Sequence, residues 1–216
     1  LWKKTVTITY NANNGSGAPS ASSGSLYNAQ ASVSITLSST KQSRKGYTFN
    51  GWSTSSTATS ASYQPGTAYS FSDSTTLYAV WGRNSYTLTV NPNGGKYNNT
   101  TSNTPITGGY NTTTTIANPT PPSGYTVTFN ANSGSVSPTS KTSTKSFSSW
   151  SLSGSGSLSG TTYTFGAGNG TLTANYTNNS ITLPTPTRAG YHCTGWNTSG
   201  GTKRGDAGGS YTPTQS

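Results

Sequence analysis

The sequence predicts a mostly β protein made of small tandem modules, with little or no helix. Threonine alternates with an apolar residue at residues 5–10, 86–90 and 125–129. That period of two places one side of a strand on a core and the other side in water. Asparagine and glycine follow each stretch and supply the positive φ angles of tight turns. No stretch repeats apolar residues at the spacing of three, four and seven that predicts a helix.

The composition predicts small cores that are organised around aromatic rings. Only 28% of the 216 residues are hydrophobic and 6% are charged, yet the chain has 5 Trp, 14 Tyr and 5 Phe. Disordered chains are usually poor in aromatic residues. Regularly spaced rings, each able to bury ~150–250 Å², therefore favour folded modules over a disordered chain.

The charges and the single cysteine argue against several classes of protein. The net charge is +10 because Asp73 and Asp206 are the only acidic residues against twelve Lys and Arg. The basic residues are scattered, which argues against a specific nucleic-acid site. One cysteine cannot form an internal disulfide framework. No apolar run approaches the ~18 residues of a membrane span.

Aligning the tryptophans exposes a repeat. The segment "LWKKTVTITYNANNG" at Leu1 matches "VWGRNSYTLTVNPNGG" at Val80. The opening Leu-Trp is interpreted as the end of an earlier unit, so we expect an internal piece of a longer protein. The second module is irregular or elongated, and the third is truncated, with its last strand expected beyond Ser216. The predicted modules are residues 3–81, 82–176 and 177–216.

Four segments carry a family resemblance: "VTITYNANNGSGAPS", "GYTFNGW", "YQPGTAYSFSDSTTLYAVW" and "LPTPTRAGYHCTGW". They resemble the internalin-type B repeat, also called the Listeria–Bacteroides repeat. The resemblance covers the first module fully, residues 190–196 well and the second module loosely, where Ser149 replaces Gly and Tyr176 replaces Trp. It implies small β modules of β-grasp-like topology, strung in tandem on secreted bacterial surface proteins and on proteins of their phages. It implies no enzymatic activity.

The repeated aromatic segments predict which residues form the cores. In "GYTFNGW", alternation puts Tyr47 and Phe49 on one face, and the glycine before Trp52 permits a bend or bulge that folds the indole over that face. In "TLYAVW", Leu77 and Trp81 share one side of the strand. We expect the cores to contain Tyr47, Phe49, Trp52, Leu77, Trp81, Trp150, Tyr176, Tyr191, Cys193 and Trp196.

The residues that could carry chemistry do not form a pattern typical of catalysis. His192 and Cys193 are neighbours, which in a strand point to opposite faces, so we interpret Cys193 as a small core residue rather than a nucleophile. Asp73 and Asp206 occupy turn-like stretches of different modules, which argues against a two-carboxylate hydrolytic site. The lone His, lone Cys and two Asp do not cluster as metal ligands. We interpret the "RGD" segment at residues 204–206 as a turn rather than an adhesion signal.

The sequence is compatible with two functions. The first is a non-enzymatic structural segment, a stalk or spacer on a bacterial cell surface or a phage virion, with weak adhesion. The alternative is a phage fibre or decoration protein, or an adhesin, whose module binds host glycans directly. The expected partners are neighbouring repeats of the same chain and cell-wall or host-surface glycans, with no cofactor, no specific nucleic acid and no membrane span. The candidate glycan contacts are Tyr27, Tyr63, Tyr97, Tyr110 and Tyr211.

Overall fold

The structure is a computed structural model that describes residues 1–214, and every regular element in that range is a strand. The predicted mostly β class with several small modules is confirmed, and β-grasp-like topology stays a prediction. No helix within residues 1–214 is long and apolar enough to cross a membrane. The closing strand expected beyond Ser216 lies outside the described residues.

Nineteen strands follow one another within residues 1–214. The first nine are β1 (Lys3–Asn11), β2 (Ser22–Tyr27), β3 (Val33–Thr36), β4 (Tyr47–Ser53), β5 (Ala68–Phe71), β6 (Thr75–Arg83), β7 (Ser85–Asn91), β8 (Thr104–Gly109) and β9 (Thr113–Thr115). The next five are β10 (Thr126–Thr128), β11 (Ser140–Thr142), β12 (Lys145–Gly154), β13 (Ser157–Ser159) and β14 (Thr162–Thr164). The last five are β15 (Gly170–Asn178), β16 (Ile181–Thr182), β17 (Trp196–Asn197), β18 (Lys203–Gly205) and β19 (Ser210–Tyr211).

The chain forms two compact units, each made of several segments. Unit 1 comprises Leu1–Thr87, Thr107–Thr114 and Ser155–Asn169. Unit 2 comprises Leu88–Ile106, Thr115–Gly154 and Gly170–Ser216.

The main sheet of unit 1 has four strands in the order β2-β1-β6-β4. The alternation of β1 buries Val6, Ile8 and Tyr10 on one face, as its sequence pattern predicts. β6 pairs parallel with β1, so that Tyr10 lies opposite Leu77, and it pairs antiparallel with β4. β3 and β5 form a separate antiparallel pair, whose side chains Ile35 and Phe71 join the same core cluster.

β4 contains a bulge between Phe49 and Gly51, where the register against β6 shifts. Gly51 has a φ of +125°, a value that side chains disfavour, and a Cβ there would press on the Tyr63 carbonyl. The extra residue turns Trp52 to the same side as Phe49, although strand alternation alone would separate two residues three apart. The bulge predicted from the glycine before Trp52 is therefore present.

A second sheet, most of whose residues belong to unit 2, repeats this arrangement in the order β12-β15-β7-β8. Leu88 lies opposite Gly170 in a parallel pair, as Ile8 lies opposite Thr75 in unit 1. β12 is antiparallel to β15 and carries a bulge between Phe147 and Ser149, the same position as in β4.

Unit 2 also holds a smaller cluster, which we call the third cluster, with the buried residues Phe129, Ile181 and Leu183. Phe129 follows β10, which forms an antiparallel pair with β11. Two further short pairs, β16 with β19 and β17 with β18, lie in the C-terminal segment. The third cluster thus joins side chains from residues that the sequence places in the second and third modules.

Candidate functional site

The recurring aromatic residues of unit 1 form a continuous set of ring contacts. Trp52 is 0% exposed, and its ring centroid lies 4.8 Å from that of Tyr10 and 5.0 Å from that of Phe49. Phe49 in turn lies 5.6 Å from Trp81. These distances are typical of favourable tilted and edge-to-face aromatic pairs. The indole N–H of Trp52 has no hydrogen-bond partner, so the ring is held by packing alone.

The turn after β1 is fastened to β6 by side-chain hydrogen bonds. The indole Nε1 of Trp81 donates to the carbonyl oxygens of Ala12 at 3.1 Å and Asn13 at 2.9 Å. In the opposite direction, Nδ2 of Asn13 donates to the carbonyl oxygen of Ala79 at 2.9 Å. Trp81 therefore links a turn to a strand that are far apart in sequence.

Unit 2 has the same kind of hydrogen bonds between turn and strand, but with a different aromatic residue. The hydroxyl of Tyr176 donates to the carbonyl oxygen of Pro92 at 2.7 Å, and Nδ2 of Asn93 donates to that of Ala174 at 2.9 Å. Burial raises the pKa of the Tyr176 phenol, which keeps the hydroxyl proton available as a donor. Trp150 lies at the position of Trp52, with its ring 5.3 Å from Phe147.

The residues expected in the cores occupy three different environments. Trp52 and Leu77 are fully buried at 0% exposure. Tyr191 differs from the expectation, because it is 69% exposed. Residues 191–195 form no strand, so no sheet covers the ring, which stacks on the Arg188 guanidinium at 4.1 Å. The remaining seven are half-buried: Tyr47, Phe49, Trp81, Trp150, Tyr176, Cys193 and Trp196.

The candidate chemical groups do not combine into a metal-binding cluster within the described residues. His192 is exposed, and the half-buried thiol of Cys193 lies 3.7 Å from the carbonyl oxygen of Gly195. The described residues contain no group of three or more His, Cys, Asp or Glu that could hold a metal ion.

Each acidic residue forms an exposed ion pair with a lysine. Asp73 lies 2.5 Å from Nζ of Lys4, and Asp206 lies 2.6 Å from Nζ of Lys203. The hydrogen bonds from these ammonium groups hold the pKa of both carboxyls below their ordinary value. A carboxylate that stays ionised and paired is poorly suited to act as a general acid.

The five candidate glycan-contact tyrosines are mostly covered by protein. Tyr27 is 41% exposed. Tyr97, expected at the surface, is only 4% exposed because its ring packs on Trp150 at 6.1 Å. The other three are half-buried and pack on neighbouring rings or on a core cluster: Tyr63, Tyr110 and Tyr211. Within residues 1–214, no ring pair joins two of these five tyrosines.

The sequence interpretation missed two structurally important tyrosines in unit 1. The hydroxyl of Tyr10 accepts from the Ser38 amide at 2.9 Å and pairs with the Ser22 hydroxyl at 2.8 Å. Tyr163 is fully buried, and its hydroxyl donates to the carbonyl oxygen of Ser155 at 2.5 Å. The alternation of "TTYTF" around Tyr163 is the sequence signal that indicates a buried ring.

Comparison with known proteins agrees with the repeated geometry. The Listeria-Bacteroides repeat domain matches residues 7–80 and 160–216, which together exceed half of the chain. No curated protein and no solved structure matches the chain. The first matched segment contains more than half of β1 and of β6, the two strands at the centre of the unit 1 sheet. This chain belongs to the Listeria-Bacteroides repeat family.

Proposed function

We propose that this chain is a non-enzymatic structural segment of a surface-exposed protein of a bacterium or of a phage. In this role its repeats act as a spacer that holds other domains away from the surface, and adhesion is at most a weak additional property. Neighbouring repeats of the same chain are its main partners.

The observation that supports this proposal is the packing of the recurring aromatic residues against one another. The rings that recur at repeat positions pack against one another, as Trp52 does with Tyr10 and Phe49. A glycan-binding site of the stacking type requires rings that stay open to water. Tyr27 is the best exposed of the five candidates, and one ring offers little area for a sugar.

The surface chemistry supports the same role. Both carboxylates are neutralised by lysines at 2.5 and 2.6 Å, and the rest of the exposed surface is rich in Ser, Thr and Asn. Such side chains hydrate well and offer few sites for nonspecific apolar contact.

A surface-display experiment tests the spacer function. The full chain is placed between a cell-wall anchor and an epitope, and antibody binding is measured before and after mild protease treatment. We expect the epitope to stay accessible and protease-resistant, whereas a Gly-Ser linker of equal length loses it to protease. The Trp52→Ala chain, in which unit 1 is destabilised, serves as the destabilised control.

A glycan array with the full chain separates the spacer from the adhesin. Weak or absent binding supports the spacer function. Saturable, dose-dependent binding to one glycan that Tyr27→Ala abolishes would instead establish the direct-binding alternative.

A further inference from the structure

The start of β4 brings together two arginines that are far apart in sequence. Tyr47 is the first residue of β4 and lies directly opposite Arg83, the last residue of β6. Side chains of opposite residues in an antiparallel pair project to the same face of the sheet, so the Tyr47 ring and the Arg83 side chain are neighbours. The Arg44 guanidinium lies over the Tyr47 ring, with Cζ 4.0 Å from the ring centroid. We call Arg44, Tyr47 and Arg83 the arginine cluster.

Hydrogen bonds fix the backbone that carries the arginine cluster. The amide of Tyr47 donates to the carbonyl oxygen of Arg44 at 3.0 Å, and Gly46 between them has a φ of +77°. The amide of Asn84, which follows β6, donates to the carbonyl oxygen of Gly46 at 3.0 Å. The hydroxyl of Thr48 donates to Oδ1 of Asn84 at 2.6 Å. These bonds hold the two arginine-bearing segments together without a ligand, which lowers the ordering cost of binding one.

The loop after β8 supports the same side chains within unit 1. The Tyr110 ring lies 6.0 Å from the Tyr47 ring at an angle of 79°. A Cβ on Gly46 would collide with the Tyr110 ring, and a Cβ on Gly109 would lie 2.8 Å from Cδ of Arg83. The stem of Arg83 and the ring of Tyr47 are therefore packed on protein atoms, so that less side-chain freedom is lost on binding.

No carboxylate neutralises the two arginines. Both acidic residues, Asp73 and Asp206, pair with lysines instead, and within residues 1–214 neither Arg44 nor Arg83 forms an ion pair. Arg44 is half-buried, whereas Arg83 and the neighbouring Lys45 are exposed. This accessibility exists in a complete sheet, in which β4 and β6 are already paired. The arginine cluster is thus an accessible region of uncompensated positive charge, which attracts anions.

The turn that carries Arg44 recurs in the third repeat. Residues 188–191 repeat the Arg-x-Gly-Tyr sequence of residues 44–47. The guanidinium of Arg188 lies 4.1 Å from the centroid of the Tyr191 ring, and the amide of Tyr191 donates to the carbonyl oxygen of Arg188 at 3.1 Å. Gly190 has a φ of +74°. The same local sequence therefore produces the same cation over a tyrosine.

The second repeat places a cation at the corresponding point of its own sheet. Lys145 begins β12, as Tyr47 begins β4, and Nζ of Lys145 lies 4.7 Å from the centroid of the Tyr125 ring. Each of the three repeats thus holds one cation against a tyrosine. A polymer with many anionic groups gains from contacting several weak sites of one chain, because its later contacts are intramolecular.

We propose that the arginine cluster binds the sulfate or carboxylate groups of an anionic polysaccharide. The planar guanidinium groups of Arg44 and Arg83 donate paired hydrogen bonds to the oxyanions. Lys45 adds long-range attraction. This contact is additional to the spacer function and does not depend on it, since a spacer needs no anion-binding site.

The aromatic residues of the site favour a polysaccharide over a nucleic acid. Sites for single-stranded nucleic acid present rings on which bases stack. Arg44 covers one face of the Tyr47 ring, and the Tyr110 ring packs on Gly46. Little ring area is left for stacked bases, whereas the arginines still reach anionic groups on a sugar chain.

Titration calorimetry with simple polymers tests the site. The full chain is titrated with dextran sulfate, with carboxymethyl dextran and with uncharged dextran of the same length. We expect saturable binding to one or both anionic polymers and none to uncharged dextran. The two anionic polymers separate sulfate from carboxylate as the preferred group. Binding should weaken as the salt concentration rises from about 0.05 M to 0.3 M, because salt screens exposed charges.

A matched pair of double variants separates the arginine cluster from net charge. Arg44→Gln with Arg83→Gln should weaken binding about five- to thirtyfold, the loss of two exposed charge contacts. Lys96→Gln with Arg204→Gln removes the same charge from unit 2 and should change binding by less than about twofold. Arg44→Lys with Arg83→Lys keeps the charge and loses the paired hydrogen bonds, so we expect an intermediate loss. Thermal melts of each variant confirm that it is folded.

Three outcomes would overturn the proposal. Equal losses in the two glutamine double variants would show that binding follows net charge alone. Tighter binding of single-stranded DNA than of either dextran derivative, lost in the same arginine variant, would assign the site to nucleic acid. No binding to either anionic dextran would remove the site and leave the spacer function standing.

Discussion

Replacing Trp52 by alanine removes the largest fully buried side chain among the described residues. Full burial of an indole covers ~150–250 Å², which at ~25 cal/mol per Å² corresponds to about 4–6 kcal/mol. The unpaired indole N–H offsets about 1–3 kcal/mol of this, because a buried donor without a partner is unfavourable. Measured losses for such truncations are ~3–5 kcal/mol. Since small domains have ~5–15 kcal/mol in total, we expect Trp52→Ala to remove a large share of the stability of unit 1.

Hydrogen exchange during urea denaturation measures this effect in unit 1 alone, because the amides of Val6, Ile8 and Tyr10 report on β1. Trp2→Ala is the matched control, since Trp2 is 87% exposed and its loss should change the free energy of unfolding by less than ~0.5 kcal/mol. Trp52→Phe keeps a ring and removes the unpaired N–H, so it should lower the free energy of unfolding by less than Trp52→Ala does. A loss below about 1 kcal/mol for Trp52→Ala, or one equal to that of Trp2→Ala, would refute the aromatic core.

Three further perturbations address other contacts. Tyr176→Phe removes the bond to the Pro92 carbonyl, so the free energy of unfolding of unit 2 should fall by about 0.5–1.5 kcal/mol in urea titrations, with Tyr27→Phe as an unaffected control. Gly15→Ala forces a Cβ into the Trp81 indole and should cost about 1–3 kcal/mol in thermal melts, whereas Gly200→Ala should be tolerated, because its Cβ would meet only the Thr198 hydroxyl at an ordinary contact distance of 3.9 Å. The Lys4 ammonium lowers the folded pKa of Asp73 from its ordinary value of 3.8. The small contribution of this ion pair to the free energy of unfolding is therefore present above that pH and is lost as the pH falls through the folded pKa. Asp73→Asn should therefore flatten the stability profile below about pH 4, as measured by urea titrations at stepped pH.

The local sequence pattern was sufficient to predict several strands and the β-bulge in β4. The alternating threonines predicted β1, β7 and β10 because each strand buries one face. The bulge at Gly51 was predicted from its glycine, but the same bulge forms at Ser149, where no glycine is present. The common cause is the spacing of Phe and Trp: two rings three residues apart reach the same face only if one residue is inserted.

The environment of single side chains depends on distant partners, which local pattern does not reveal. Tyr97 lies in a turn-rich stretch that predicts exposure, yet Trp150 covers it from β12. Tyr191 follows the core pattern of Tyr47, yet it is exposed because its segment has no neighbouring strand within the described residues. The grouping of Phe129 with Ile181 likewise arises from tertiary contact between segments that are far apart in sequence.

The parallel pairing of β1 with β6 has a mechanical consequence for unit 1. β1 begins near one end of the sheet and β6 finishes near the other, so tension applied between the start of β1 and the end of β6 pulls the two neighbouring strands past each other. The hydrogen bonds along residues 8–11 and 75–78 are then loaded in shear and must rupture together rather than unzip one at a time. A protein exposed to flow or to a moving host surface would gain from that geometry a resistance to stretching that its equilibrium stability does not measure.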